Sequence, residues 1–232
     1  MWKVLRCEKK FMINMADFIR KSHELQQLLH EDPHNGTHGY IIRSLYFDTE
    51  YDSDFFEKEY GIEVRKKLRL RIYDPESQFA ALEMKQKQGT QQLKRSLRVS
   101  REDAQRLIAC DYTPLLHYPE DFAAECYALM NSRCYRPRVI VQYRRKAFVA
   151  KENNIRITFD HEIDATASSF DLFDPKLVMN PVMGRGLAVL EVKYNGFLLS
   201  YIKDMLGSLN KSELSVSKYC MARQIRSSFG LR

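Results

Sequence analysis

Four cations stand at alternate positions in one short segment: Arg65, Lys67, Arg69 and Arg71. Lys66, Leu68, Leu70 and Ile72 fill the places between and beyond them. In an extended strand these two sets point to opposite faces, so one face becomes a row of cations. Arginine offers a planar fork that takes two phosphate oxygens at once, and lysine a compact point charge. The chemistry available to such a row is capture of a phosphate-rich anion. The pattern recurs along the chain. Arg6, Glu8 and Lys10 alternate with Leu5, Cys7, Lys9 and Phe11; Glu83, Lys85 and Lys87 with Leu82 and Met84; Lys94, Ser96 and Arg98 with Leu93, Leu97 and Val99. Arg156, Thr158 and Asp160 alternate with Ile155, Ile157 and Phe159, and Glu191 and Lys193 with Leu190, Val192 and Tyr194. Tyr143 and Arg145 share a face of their own segment.

These faces hold thirteen cations against four acids, Glu8, Glu83, Asp160 and Glu191. The surplus of nine exceeds the +7 of the whole chain, so the basicity belongs to strand faces and not to a tail or a helix. Lysine and arginine are not strand formers, and like charges on neighbouring strands repel. Such faces are costly until an anion neutralises them. An acid among them repels phosphate unless a divalent cation bridges the two. Mg2+ or Mn2+ held by one or two carboxylates and completed by phosphate oxygens meets that condition. Glu191, Glu8 and Glu83 are the candidate metal ligands on this reasoning. Each could instead pair with a neighbouring lysine or arginine, and the residue pattern leaves that open.

The elements that must carry these faces follow from periodicity. Period-two alternation predicts strands over residues 4–11, 41–48, 63–73, 79–86, 93–99, 138–148, 155–160 and 188–194. Helical spacing of Phe18, Ile19, Leu25, Leu28 and Leu29 predicts a helix over 15–30, with Asn14 or Asp17 as its cap. Ser100-Arg-Glu-Asp103 has the form of a capping box opening a short helix to 109. Pro119 suits the start of a helix running to 131, and two more helices are expected over 196–209 and 215–229. Gly89-Thr90 sits between two strands and suits a hairpin turn. The fold class is α+β, a large and mainly antiparallel sheet or barrel with helices packed outside, in a single domain over 1–232. If the sheet closes, its charged faces line a lumen that holds one small ligand.

With 232 residues, 44% hydrophobic and 29% charged, the chain is a folded protein with a sizeable core. Met1 to Phe11 is charged throughout and contains no apolar stretch of signal-peptide type. No apolar run approaches the length of a membrane span. The five cysteines are odd in number and scattered, which argues against a disulfide framework and for a reducing, cytoplasmic setting. There is no phosphate loop of the Walker kind, and Gly184-Arg-Gly186 is a bare loop. The histidines lack metal-ligand spacing. A nucleic-acid binder with an open basic sheet should interleave aromatics with its cations, and the Arg65–Arg71 row has none before Tyr73. Nucleic acid is therefore not the expected partner.

The chain resembles the VTC domain, the polyphosphate polymerase domain of the vacuolar transporter chaperone complex, within the triphosphate tunnel metalloenzymes that also include the CYTH proteins. The matching stretches are Arg6-Cys-Glu-Lys-Lys-Phe11, Ser44-Leu-Tyr-Phe-Asp-Thr49, Arg65 to Tyr73, Leu82-Glu-Met-Lys85, Tyr143-Arg-Arg-Lys-Ala-Phe148, Arg156-Ile-Thr-Phe-Asp160, Leu190-Glu-Val-Lys-Tyr194 and Ser217-Lys-Tyr219, in family order. The resemblance implies a closed eight-stranded tunnel that grips a triphosphate, a divalent metal held in part by Glu191, and transfer of the γ-phosphate of ATP to a growing polyphosphate chain with release of ADP. It places Lys10, Arg69, Arg71, Arg145 and Lys193 in the catalytic set. Arg6, Arg65, Lys67, Lys85, Lys94, Arg98, Arg156 and Lys218 become phosphate contacts. ATP and inorganic polyphosphate are the implied partners, and any membrane would be reached through a partner protein. CYTH enzymes carry Glu-x-Glu-x-Lys on the first strand; Arg6 replaces the first glutamate here, which favours the VTC branch. Ser215 or Val216 stands where family members carry a second lysine near Lys218. A triphosphatase using water as acceptor and a non-catalytic polyphosphate or nucleotide binder are the alternatives.

Overall fold

The computed structural model describes residues 6–89, 91–207, 209, 212–213 and 217–228, without the side chains of 6, 212–213 and 225–228. In chain order the elements are β1 (Arg6–Asn14), α1 (Met15–Leu28), β2 (His30–Glu31), β3 (Tyr40–Asp48), α2 (Ser53–Glu59), β4 (Val64–Ile72), β5 (Phe79–Gln88), β6 (Gln91–Ser100), α3 (Arg101–Ile108), α4 (Asp121–Ser132), β7 (Arg136–Ala150), β8 (Ile155–Thr166), β9 (Asn180–Pro181), β10 (Leu187–Asn195), α5 (Ser200–Gly207), β11 (Ser212–Glu213) and α6 (Lys218–Ser228). The class is α+β with a large antiparallel sheet. The chain divides into two compact units, and β3, β7 and β8 run through both.

Unit 1 comprises Met1–Ile41, Tyr143–Ile163 and Met183–Ser217. Its ladder runs β11–β1–β10–β8, every pair antiparallel. The register sets Lys10 opposite Glu191 and Glu8 opposite Lys193, then Glu191 opposite Thr158 and Lys193 opposite Arg156. Directly opposite residues share a face, so these charges form one surface. The other face is apolar: Phe11, Ile13, Ile155, Ile157, Phe159, Leu190 and Val192 are buried with Phe18 and Leu25 of α1 and Ile202 and Leu206 of α5. Asn14 caps α1 by accepting the Asp17 N–H at 2.7 Å, as its position before the apolar periodicity predicts.

Unit 2 comprises Ile42–Gln142, Asp164–Val182 and Lys218–Arg232. Its ladder runs β3–β4–β5–β6. Leu68, Leu70, Ile72, Leu82, Met84, Leu97 and Val99 turn to a core completed by Ala104 and Leu107 of α3 and Phe122, Cys126 and Met130 of α4. The alternation read in the sequence is therefore the actual division of faces. Ser100 caps α3, accepting the Asp103 N–H at 3.0 Å, but the reciprocal bond is relayed: the Tyr118 hydroxyl accepts from the Ser100 N–H and donates to Asp103. β5 ends at Gln88 opposite Gln91 of β6, and Gly89 between them has φ +57°, a left-handed conformation glycine adopts without a Cβ penalty.

The structure departs from the sequence reading in three places. α2 had no apolar periodicity to announce it; buried Asp48 builds it by accepting the N–H groups of Thr49, Asp54 and Phe55 at 2.7–2.9 Å. β7 runs two residues beyond each predicted end and β8 six beyond its C-terminal one; short β2 pairs with β7 at Phe148 and Val149, and short β9 with β8 at Asp164 and Ala165. Finally, among the described residues no ladder joins β6 to β1 or β11, so closure into an eight-stranded barrel is not seen as strand pairing. β6 is exposed at Gln91, Gln92, Leu93 and Lys94, and a charged, solvated edge of this kind resists further pairing. No described helix is long and apolar enough to cross a membrane.

Candidate functional site: two basic strand faces

On unit 2 the register converts the sequence pattern into rows. Lys67, Lys85 and Lys94 lie directly opposite one another across β4, β5 and β6. Arg65 stands opposite Lys87, and Arg71 and Arg98 flank Ala81. Between these rows Arg69, Glu83 and Ser96 make up the fourth. The β4–β5–β6 face thus gathers Arg65, Lys67, Arg69, Arg71, Lys85, Lys87, Lys94 and Arg98 around one carboxylate, Glu83.

Glu83 is buried, and its oxygens meet Arg69 at 2.7 and 2.8 Å, Lys94 at 2.5 Å and Arg71 at 3.7 Å. Burial works against its charge, yet Arg69, Arg71 and Lys94 outweigh burial and hold its pKa down to about 2. The ion-pair reading therefore describes Glu83 in this structure. β3 extends the face. Tyr46 is opposite Arg69 and Ser44 opposite Arg71, and their hydroxyls lie 3.0 and 3.4 Å from the guanidinium nitrogens. Burial tends to raise the Tyr46 pKa, but Arg69, Arg71 and Lys67 pull it below the ordinary phenol value.

Three further predicted phosphate contacts of this unit have local contacts or positions of their own. Arg65 donates to the Ile62 carbonyl at 2.6 Å. The Arg98 guanidinium lies 3.7 Å over the Phe79 ring. Lys218, within the helix expected over 215–229, is the first residue of α6, beside Tyr219.

Unit 1 is differently composed. Lys10 lies 2.6 Å from Glu8 and 3.3 Å from Glu191, and Lys193 pairs with the other oxygen of Glu191. Burial disfavours the Lys10 charge, but Glu191 and Glu8 more than restore it and raise its pKa. Arg145 grips Asp160 through two bonds of 2.7 and 2.8 Å. Despite burial, Asp160 and then Tyr143 lift the Arg145 pKa well above its usual value. Arg156 pairs with Asp32 at 2.7 Å. Asp32 resists burial through hydrogen bonds from His34 and the charge of Arg156, which lower its pKa. Arg6 opens β1, but its side chain lies outside the described residues, as do Ser215 and Val216.

Glu8 and Glu191 thus converge on one ammonium, which makes this the place to test a dication. Hard carboxylate oxygens suit Mg2+ or Mn2+. The Thr158 hydroxyl, directly opposite Glu191, is buried without a hydrogen-bond partner. Two carboxylates and an unsatisfied hydroxyl fit a hard dication whose remaining ligands come from phosphate or water. Among the described residues no group of three or more His, Cys, Asp or Glu gathers, so those residues by themselves do not furnish a full coordination shell. Glu83, enclosed by its three cations, fits a metal less well.

Sequence reasoning assigned no role to Tyr46, Asp48, Thr158, Asp32 or Tyr219. Tyr46, Asp48, Thr158 and Tyr219 fall within stretches that carry the family resemblance. Asp32 sits in a turn cluster, where an acidic residue gives no signal of pairing.

The VTC domain family matches residues 5–226, and the chain belongs to that family. Membership supports a function that concerns polyphosphate or a triphosphate. No curated protein matches the chain. Among solved structures, the bh2851 protein of Bacillus halodurans, which carries a provisional adenylate cyclase designation, is 13% identical, with a TM-score of 0.53 over 92% of this chain and 94% of that one. At that identity the likeness is one of fold. The PH1819 protein of Pyrococcus horikoshii is 12% identical over 95% of this chain and 99% of its own, with a TM-score of 0.46.

Proposed function

We propose that the protein is a metal-dependent polyphosphate polymerase that transfers the γ-phosphate of ATP to a growing polyphosphate chain and releases ADP. The observation that carries this reading is the unit 2 face, where eight cations stand in register with one carboxylate, Glu83, which three of them meet. That surplus exceeds what the three phosphates of one nucleotide require and suits a longer anion. Membership of the VTC family supports the same substrate class.

Phosphoryl transfer needs little covalent help from the protein; positioning and charge neutralisation supply most of the acceleration. In unit 2, Arg69 and Arg71 are the cations proposed to act on the transferring group, with Lys67, Lys85, Lys94 and Arg98 along the polymer. In unit 1, Lys10, Lys193 and Arg145 are proposed phosphate contacts, and Glu191 and Glu8 would hold Mn2+ or Mg2+. Such an ion supplies charge neutralisation between carboxylate and phosphate oxygens when bound.

The test is incubation with ATP and Mn2+, reading ADP, orthophosphate and polymer separately. ADP with long polymer is expected. ADP with orthophosphate alone would replace the polymerase by a triphosphatase, and binding of tripolyphosphate without turnover would leave a polyphosphate-binding module.

A further inference from the structure

Tyr219 is the second residue of α6 and is almost wholly buried. Its hydroxyl donates to Asp48 Oδ2 at 2.5 Å. That carboxylate is itself immobilised, because three backbone N–H groups of the Thr49–Phe55 turn already bond to it. Burial and then the Asp48 charge raise the Tyr219 pKa, so the phenol stays protonated as a donor. The ring faces the basic strands. It stacks on Tyr46 with centroids 5.1 Å apart and an interplanar angle of 28°, and the edge of Phe55 meets it at 6.2 Å. Lys67 Nζ lies 5.5 Å from its centroid. Tyr46 in turn accepts a hydrogen bond from Arg69 at 3.0 Å. One turn further along α6, Arg223 bonds Asp52, which also pairs with Arg138 at 3.3 Å, so the helix has a second tether.

A tyrosine that only filled the core would need neither a cation on its face nor a stacked partner whose hydroxyl holds an arginine. A contiguous set of contacts leads from fixed backbone donors to Asp48, to Tyr219, and from its ring to Lys67 and, through Tyr46, to Arg69. We propose that Tyr219 is a positioning residue that sets Lys67 and Arg69 for phosphate, so that the docking of α6 controls the grip of the β3–β4 face. The inference rests on the reading of that face as the phosphate site.

Tripolyphosphate binding by titration calorimetry at several salt concentrations tests it, using wild type, Tyr219→Leu, Tyr219→Phe and Tyr46→Phe. Tyr135→Phe serves as a comparison, since Tyr135 is buried and its hydroxyl bonds Asp54 at 2.9 Å rather than the basic face. Tyr219→Leu removes the ring face and should weaken binding about tenfold, with a shallower salt dependence, because Lys67 and Arg69 lose their places. Tyr219→Phe keeps the ring and should recover to within about threefold of wild type. Tyr135→Phe should lower thermal stability without changing the salt slope. Equal affinity and slope in Tyr219→Leu and wild type would overturn the inference, as would a loss matched by Tyr135→Phe. If Tyr219→Leu does not fold, Tyr46→Phe decides: about threefold weaker binding supports the proposal, and wild-type affinity overturns it. A wild-type protein that fails to bind tripolyphosphate would instead remove the phosphate-site reading itself.

Discussion

The two units carry similar strand faces and treat their charges in opposite ways. In unit 1 the cations meet carboxylates: Lys10 with Glu8 and Glu191, Lys193 with Glu191, Arg145 with Asp160, Arg156 with Asp32. In unit 2 the β4–β5–β6 face carries eight cations and one carboxylate, Glu83, which pairs with three of them. The first arrangement is close to neutral as folded and suits a site where a small, highly charged ion enters among fixed partners. The second carries more cations than carboxylates along its strands, which is the basis of the phosphate-site proposal. Like-charged residues directly opposite one another, as in the Lys67–Lys85–Lys94 row, destabilise a sheet. Such a row contributes to function only when ligand binding offsets that cost.

The largest effect should come from the acid in unit 1. Glu191→Gln should lower turnover by at least about a hundredfold while largely sparing tripolyphosphate affinity, because it removes a metal donor and also a charge that repels phosphate. Assays of ADP release and of binding on the same preparation check this; normal activity in Mn2+ would reduce Glu191 to an ion-pair partner.

The next effect sharpens the contrast between units. Arg69→Ala should weaken tripolyphosphate binding by roughly fifty- to a hundredfold, the size expected for losing a charged hydrogen-bonding group. Arg156→Ala in unit 1, whose partner Asp32 is already bound by the protein, should cost less. If the two substitutions weakened binding equally, the difference between the faces would carry no functional meaning.

A third outcome concerns pH and lies away from both faces. Asp54 is buried beside Asp48, its carboxyl bonded by Tyr135, and burial followed by the Asp48 charge pushes its pKa up to about 7. A carboxyl whose folded pKa exceeds its unfolded value stabilises the fold when protonated. That contribution is complete below about pH 4 and is lost as pH rises through about 7. Melting temperature should therefore fall between pH 5.5 and 8 in wild type, and Asp54→Asn should flatten that slope. Glu83, held at about 2, is ionised throughout this window and does not contribute to the change. An unchanged slope in the variant would show that another group titrates.

The smallest effect tests the lysine row. Lys85 is exposed, so Lys85→Ala should weaken binding only about threefold at low salt, with the difference vanishing near molar salt. A salt-independent loss would mean that Lys85 has a packing role instead.

Period-two alternation determined much of this protein in advance. Leu68, Leu70 and Ile72 are buried and Arg65, Lys67 and Arg69 are not, because a strand sends neighbouring side chains to opposite faces whatever surrounds it. Local signals also sufficed for the Asn14 and Ser100 caps and the Gly89 turn, whose geometry lies within a few residues. Register is another matter. That Lys10 meets Glu191, or that Lys67, Lys85 and Lys94 align, depends on pairing between distant segments, and a one-residue slip would have separated them. Tertiary structure alone decided which acids are enclosed by cations, as Glu83 is by three, and which share one lysine, as Glu8 and Glu191 do. It also decided that Tyr219, 171 residues beyond Asp48 in the chain, would anchor a helix against the basic face. A charge pattern specifies which side chains a strand displays; their partners are set by the folding of remote segments, and no local rule encodes those distances.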